Sequence, residues 1–298
     1  MPLDPSTYVS PIYRPSLFNG KVVFCTGGNG TICSAQVRAL VHLGANACIV
    51  GRNPDKTASA AADIATARPG SKVLGIGSVD VRDVSSVGAA VDRCIQELGG
   101  IDFLIAGAAG NFLSPLSTLS PNAFKSVMDI DVLGSFNALK PCLPHLLSSR
   151  SRSPSSGRVI FISATFHYTG HPLQSHVAAA KAAVDALAAS VAIEYGPRGL
   201  TSNVIAPGPI ADTEGMKRLG GLSPEEGGVA RAVPLQRLGT VRDIADATVY
   251  LFSEAGAYVN GHVLVVDGGA WRTMGAADPQ GAVYPGLFLE EKEEKAKL

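Results

Sequence analysis

The chain has 298 residues, enough for one large domain or two small ones, and it is 46% hydrophobic with 17% charged residues. Its 25 basic and 25 acidic residues cancel, so no basic surface points to a nucleic acid. No run of about 18 apolar residues suggests a membrane span, so partners have to be inferred from individual sites.

From Lys21 onward, short apolar runs alternate with amphipathic segments. Runs bounded by turn residues predict strands, and apolar residues three or four positions apart predict helices. This alternation predicts a single Rossmann-type α/β domain, a doubly wound, seven-stranded parallel sheet flanked by helices. The predicted strands are residues 22–25, 47–50, 73–81, 103–106, 159–162, 202–205 and 263–266. The first predicted helix has Val37, Leu40 and Val41 on one face and ends at Gly44. The other predicted helices are residues 56–65, 84–98, 122–147, 176–195 and 243–252.

Three segments fall outside this alternation. Residues 1–20 are rich in proline and predict an extended arm before a reductase domain at 21–276. Residues 148–157 are polar and predict an exposed loop. Residues 277–298 lose periodicity and predict a mobile tail, whose ending Ala296-Lys297-Leu298 is one substitution from the peroxisomal address S-K-L and is expected to bind the import receptor.

The five cysteines are an odd number with no C-x-x-C pair. They are expected to be reduced, buried thiols in a reducing compartment, and no metal site is predicted. They are Cys25, Cys33, Cys48, Cys94 and Cys142.

A glycine-rich turn follows the first predicted strand and precedes a helix: Thr26, Gly27, Gly28, Asn29, Gly30, Thr31 and Ile32. Such a turn lets the backbone approach a pyrophosphate, and the helix N-terminus faces its negative charge. The second strand ends at Arg52, where a cation can pair with a ribose 2′-phosphate, so the sequence favours NADP(H), with Lys56 nearby. Asp80 ends the third predicted strand, where a carboxylate can meet the adenine edge.

On these motifs the chain resembles the short-chain dehydrogenase/reductase family over roughly residues 18–272, and it resembles most its peroxisomal 2,4-dienoyl-CoA reductase branch. The resemblance adds Val81, Ala108, Lys181, Pro207, Gly208, Pro209 and Ile210 to the expected cofactor contacts. It also implies a homo-oligomer, either a dimer or a tetramer. The segments that carry it are residues 26–30, 80, 108–112, 124–131, 181, 206–221, 234–239 and 267–271.

The glycine turn departs from the family pattern. The usual T-G-x-x-x-G-x-G motif would place glycines at two positions that are Thr31 and Cys33 here. The phosphate turn is therefore expected to be built differently.

The catalytic positions depart further, since family members use Asn, Ser, Tyr and Lys. Only Lys181 is retained, whereas the other three positions are Asp131, Ala164 and Val177. Without a phenol, direct protonation of an alkoxide is disfavoured. Reduction of a conjugated thioester needs only an ordered water and donors for an enolate. The resemblance implies that Asp131 and Lys181 hold that water.

For the substrate, the resemblance implies that Arg52, Arg82, Phe112 and Arg218 line an acyl-CoA path, since arginines suit the CoA phosphates. Ser120 either faces the substrate or caps the following helix. His167, Tyr168 and His176 lie near the cleft, and whether any of them transfers a proton is open.

The expected function is therefore NADPH-dependent reduction of a 2,4-dienoyl-CoA to a 3-enoyl-CoA in fatty-acid β-oxidation in the peroxisome. Two alternatives stay open. One is a related reductase acting on a polyketide-derived or other unsaturated or carbonyl substrate. The other is a non-catalytic NADP-binding sensor, because three catalytic positions are altered.

Overall fold

The computed structural model describes residues 3–153, 157–218 and 228–273, without the side chains of residues 151, 152, 217, 218 and 228. Seven parallel strands form one sheet in the order β3-β2-β1-β4-β5-β6-β7, which confirms the predicted architecture. The order reverses between β1 and β4, and this reversal opens a crevice at the carboxyl ends of the strands. The strands are β1 Val22–Thr26, β2 Asn46–Val50, β3 Val73–Ile76, β4 Phe103–Ala106, β5 Arg158–Ile162, β6 Thr201–Pro207 and β7 Val263–Val266.

Helices cover both faces of the sheet. Successive side chains of β1 point to opposite faces, so Cys25 joins the core under α1 and α10, whereas Phe24 joins the core under α3, α5 and α7. The helices are α1 Thr31–His42, α2 Pro54–Ala65, α3 Val84–Leu98, α4 Pro121–Met128, α5 Gly134–Arg152, α6 Phe166–Thr169, α7 Ser175–Tyr195, α8 Glu214–Arg218, α9 Gly228–Ala232, α10 Val241–Phe252 and α11 Ala270–Thr273.

The third strand is shorter than predicted. It ends at Ile76, and the prediction of a strand through Val81 is wrong, because Ser78 adopts φ 57° and turns the chain back. The amide of Val79 then donates to the carbonyl of Gly51, 3.1 Å away, which brings the following residues beside the end of β2. Asp80 therefore lies on a turn and not in a strand.

The predicted helix 122–147 is helical throughout but not uniform. A π-helical turn at Asp129–Leu133 separates α4 from α5. The predicted loop at 148–157 is wrong for its first half, since α5 continues to Arg152. Ser149 is buried there because its hydroxyl donates to the carboxylate of Asp102, and residues 154–156 lie outside the described part.

Residues 3–20 lie against the domain. Tyr8, Val9 and Phe18 are buried in the core that includes α1 and α10. The amide of Ser10 donates to the Asp246 carboxylate on α10 at 2.8 Å. All five cysteines are buried and free, as predicted.

One helix in the described ranges is long and apolar enough, by length and composition alone, to cross a membrane. It is α7 with the turn that follows it, residues 175–198. In the fold it is a core helix, since Val184, Ala188 and Val191 are buried against the sheet.

Candidate active site

A cavity of about 900 Å³ opens at the carboxyl ends of the strands, where the strand order reverses. The turns that follow β1, β2, β4, β5 and β6 contribute its walls, together with α7. This is the position at which parallel α/β sheets bind ligands. Most of the predicted cofactor residues meet here: Gly27, Asn29, Gly30, Thr31, Ile32, Arg52, Asp80, Val81, Ala108, Lys181, Pro207, Gly208, Pro209 and Ile210.

The glycine turn is shaped by close backbone contacts. Gly27 adopts φ +67°, and a Cβ there would lie 2.9 Å from the backbone of Ala108. A Cβ on Gly28 would lie 2.6 Å from Cβ of Ile49, so Gly28 allows the turn to pack on β2 without reaching the cavity wall. Gly30 caps α1 without a side-chain acceptor, so the first amides of this helix are left for a ligand.

The departure at Cys33, on α1, is accommodated by Gly107, the residue that follows β4. The Sγ of Cys33 lies 3.9 Å from the carbonyl of Gly107, and a Cβ on Gly107 would come within 2.3 Å of that sulfur. Sequence analysis missed this pairing, although the absence of bulky side chains in residues 106–110 was the available signal. Thr26 is buried beneath it, and its hydroxyl accepts from the amide of Gly107 at 3.1 Å.

Charged side chains lie at the end of the cavity beside β2. Arg52 and Lys56 are on its wall, and Asp80 lies opposite them on the turn after β3. The guanidinium of Arg82 lies 2.5 Å from the Asp80 carboxylate. Hydrogen bonding from Arg82 is the chief reason that the pKa of Asp80 is lowered to about 2. Arg82 itself is half-exposed and lies outside the cavity wall.

Asp131 and Lys181 form a buried pair in the middle of the site. The π turn places Asp131 so that its Oδ1 accepts from the amide of Gly110 at 2.7 Å. Its Oδ2 lies 2.8 Å from Nζ of Lys181, with side-chain exposures of 0% for the aspartate and 7% for the lysine. Nζ of Lys181 also donates to the carbonyl of Ile162 at 3.1 Å. Single π turns inside α-helices frequently occur at functional sites.

The two positions where hydroxyls are missing are apolar and border the cavity. Val177 and Ala164 both lie on its wall. Val177 is 2% exposed and packs with Val127, Ala180 and Phe112. These two positions therefore offer no hydroxyl group, although Ser163 and Thr165, on either side of Ala164, also line the cavity.

Among the predicted substrate residues whose side chains are described, only Arg52 lines the cavity. Phe112 packs against Val177 and the ring of His176 and is not on the cavity wall. Ser120 is exposed at the N-cap of α4, where its hydroxyl accepts from the amide of Ala123 at 3.1 Å. The side chain of Arg218 lies outside the described residues. Substrate contact by Arg52, Arg82, Phe112, Ser120 and Arg218 stays a prediction.

The three unassigned residues near the cleft divide into two groups. His167 Nε2 and the Tyr168 hydroxyl both contact the Asp185 carboxylate, at 2.8 and 3.3 Å. Burial, followed by the charge of Asp185, raises the pKa of Tyr168 to about 12. His176 is fully buried, and burial lowers its pKa.

A family model described as enoyl-(acyl carrier protein) reductase matches residues 28–270. The chain is 54% identical over 270 residues to the peroxisomal 2,4-dienoyl-CoA reductase SPS19 of Saccharomyces cerevisiae, described as (3E)-enoyl-CoA-producing, with 90% of each chain covered. It is 42% identical to the peroxisomal 2,4-dienoyl-CoA reductase of Rattus norvegicus, covering 96% of this chain and 94% of that protein. The crystal structure of levodione reductase is similar with a TM-score of 0.78 and 28% identity, covering 86% of this chain and 99% of that one.

Proposed function

Because the chain belongs to the short-chain dehydrogenase/reductase family and matches its peroxisomal 2,4-dienoyl-CoA reductases along most of its length, we propose that it reduces a 2,4-dienoyl-CoA to a (3E)-enoyl-CoA with NADPH. The observation that carries the chemistry is the buried Asp131–Lys181 pair, which stands beside Val177 and Ala164 where other members carry hydroxyl groups. This arrangement suits protonation through water and not through a phenol.

The residues present fit a dinucleotide. Gly27 and Gly30 line the cavity, and a Cβ on Gly27 would lie 2.9 Å from the backbone of Ala108, so glycine lets the turn pack closely there with its backbone at the cavity. Arg52 and Lys56 supply cations for a 2′-phosphate, which favours NADP(H) over NAD(H). When bound, NADPH supplies a hydride to the substrate.

Lys181 has donors to spare for this chemistry. An ammonium group has three N–H donors; one reaches the carbonyl of Ile162 and a second faces Asp131. The third is left for the cofactor ribose or for a water. Asp131 uses one lone pair of Oδ1 for Gly110, so its carboxylate can still accept a hydrogen bond from that water. The other proton of the water then points at the substrate.

The chemistry of the substrate agrees with this arrangement. After hydride addition to a dienoyl thioester, negative charge spreads to the thioester oxygen, and a proton added to the carbon chain completes the reduction. A hydrogen-bond donor such as the Lys181 ammonium stabilises that charge, and the Asp131–Lys181 pair orients the water that supplies the proton. A ketone would instead require an acid directly at the alkoxide, where Val177 and Ala164 offer none.

The decisive assay follows NADPH oxidation with a 2,4-dienoyl-CoA, a 2-enoyl-CoA and a 3-ketoacyl-CoA under one set of conditions. Turnover of the dienoyl thioester, and not of the matching free acid, is the expected result. Turnover of the ketone alone would refute the proposal. Cofactor binding with no turnover of any thioester would favour the non-catalytic sensor.

The cofactor preference is tested at Arg52. Arg52→Ala removes the guanidinium from the cavity wall and should raise the KM for NADPH about tenfold or more, because a charged hydrogen bond contributes about 1.5–3 kcal/mol. The KM for NADH should change less than twofold. Equal losses for both cofactors would mean that Arg52 does not read the 2′-phosphate.

A peroxisomal location for this chain is proposed from the same relatives, which are named as peroxisomal enzymes. The ending Ala296-Lys297-Leu298 lies outside the described residues, so import through it stays a prediction. The homo-oligomer also stays a prediction.

A further inference from the structure

Two loops beside the cavity are joined by three hydrogen bonds. Residues 111–114 belong to the loop between β4 and α4, and residues 173–176 include the last loop residues before α7 and its first two residues; together they are called the two-loop wall. Nε2 of Gln174 donates to Oδ1 of Asn111 at 2.8 Å, and the amide of Ser114 donates to the carbonyl of Leu173 at 2.9 Å. Nε2 of His176 lies 3.1 Å from the carbonyl of Phe112.

The two-loop wall presents apolar surface to the cavity. Leu113 and Leu173 both line the cavity, and they are 39% and 43% exposed. Leu173 adopts φ +65°, a left-handed conformation that costs a branched aliphatic residue roughly 1–2 kcal/mol. The bond from Ser114 helps to hold it there. An exposed aliphatic pair on a cavity wall suits the alkyl part of a ligand.

His176 contacts Phe112 in two ways. Its ring stacks on the phenyl ring with centroids 4.3 Å apart and an interplanar angle of 26°. Because burial lowers its pKa, the imidazole is neutral at neutral pH and carries one N–H. The distance to the Phe112 carbonyl places that N–H on Nε2, where it donates. Both the backbone and the ring of Phe112 are thereby fixed by one side chain.

We propose that His176 is a positioning residue for the acyl chain of the substrate, acting by holding Phe112 and with it the two-loop wall. This inference rests on the proposed acyl-CoA substrate. His176 itself stays off the cavity wall and is not part of the Asp131–Lys181 contact. Its loss should therefore weaken acyl binding while the chemical step and cofactor binding continue.

Three variants separate the two contacts. His176→Gln keeps an N–H donor at a similar reach, His176→Phe keeps the ring, and His176→Leu keeps neither. The KM for the dienoyl-CoA should rise about tenfold in His176→Leu, which corresponds to about 1.4 kcal/mol. It should rise less in the other two, while kcat and the Kd for NADPH stay within about twofold. If His176→Leu fails to fold, the increases in His176→Gln and His176→Phe carry the test.

The matched control is His42→Phe. His42 also contacts a backbone carbonyl, with Nδ1 3.3 Å from that of Ala67, and it also meets an aromatic ring, edge-on to Tyr8. It is the last residue of α1 and does not line the cavity, so its loss should leave the KM unchanged. A rise in KM in this control equal to that in His176→Phe would overturn the proposal, as would a fall in kcat with unchanged KM in the His176 variants.

Calorimetry separates failure of this inference from failure of the proposed function. The affinity gained by a saturated acyl-CoA over free CoA should shrink in all three His176 variants, while the affinity for CoA itself is unchanged. An unchanged acyl increment would overturn the inference even if the wild type reduces dienoyl thioesters. If the acyl increment shrinks in the variants but the wild type does not turn over dienoyl thioesters, the role of His176 in the two-loop wall stands and the proposed reaction is refuted.

Discussion

The buried pair at the centre of the site gives the sharpest prediction, which is the effect of Asp131→Asn. The carboxylate faces two donors, the Gly110 amide at 2.7 Å and Lys181 Nζ at 2.8 Å. Asparagine is the same size but has only one acceptor oxygen, so its amide N–H₂ must face one of these donors. The Lys181 charge, whose side chain is 7% exposed, would also lose its counter-charge.

Breaking a buried ion pair by removing one partner costs about 3–5 kcal/mol, so the free energy of unfolding of Asp131→Asn should fall by about that amount. Turnover of a dienoyl-CoA should fall about 100-fold or more, in line with the loss of a group that directs proton transfer. Chemical denaturation measures the first quantity, and NADPH oxidation measures the second.

A double variant distinguishes charge balance from catalysis. Asp131→Asn with Lys181→Met removes both charges, so much of the lost stability should return while turnover stays low. Asp129 lies in the same π turn, with its side chain 28% exposed and that of its partner Lys125 69% exposed, and Asp129→Asn is the control. It should cost less than about 1 kcal/mol and leave turnover unchanged. Wild-type turnover in Asp131→Asn, or recovery of turnover in the double variant, would refute the role assigned to the pair.

Three further changes have defined outcomes. Hydrogen bonding from Arg237 is the main reason that the pKa of Asp243 is lowered to about 2 from 3.8, so its stabilisation is complete above pH 3.8 and lost as the pH falls to about 2. Asp243→Asn should therefore lower the free energy of unfolding by about 1 kcal/mol at neutral pH, with the difference vanishing near pH 2 in acid-denaturation curves. Tyr168→Phe should leave turnover within about twofold, because burial and then Asp185 raise the pKa of the Tyr168 hydroxyl to about 12 and keep its proton in place; a large loss would make it an acid in the reaction. Val177→Phe should lower the thermal midpoint through overpacking of about 1–3 kcal/mol, and an unchanged midpoint would show that the site has room for a phenyl ring.

The sequence alone determined the architecture and most of the cofactor cleft. Strands buried on both faces leave continuous apolar runs, and parallel strands joined by helices bring every β–α turn to one edge. The glycines at 27 and 30 and Arg52 could therefore be assigned to one cavity from their order along the chain, and the family resemblance added Lys181. The missing hydroxyls at Ala164 and Val177 followed from the same resemblance, because the family pattern sets the spacing of those positions from Lys181.

Only the tertiary structure decided how the site is held together. The π turn at Asp129–Leu133 leaves no local sequence signal, since its residues satisfy an ordinary helical pattern. In the fold, α4 and the π turn itself pack against α7. The room made by Gly107 for Cys33 and the contacts of His176 with Phe112 join segments more than sixty residues apart. Periodicity reports which face of an element is buried, whereas contacts between distant segments depend on how the elements pack, and that packing places the Asp131 carboxylate against Lys181.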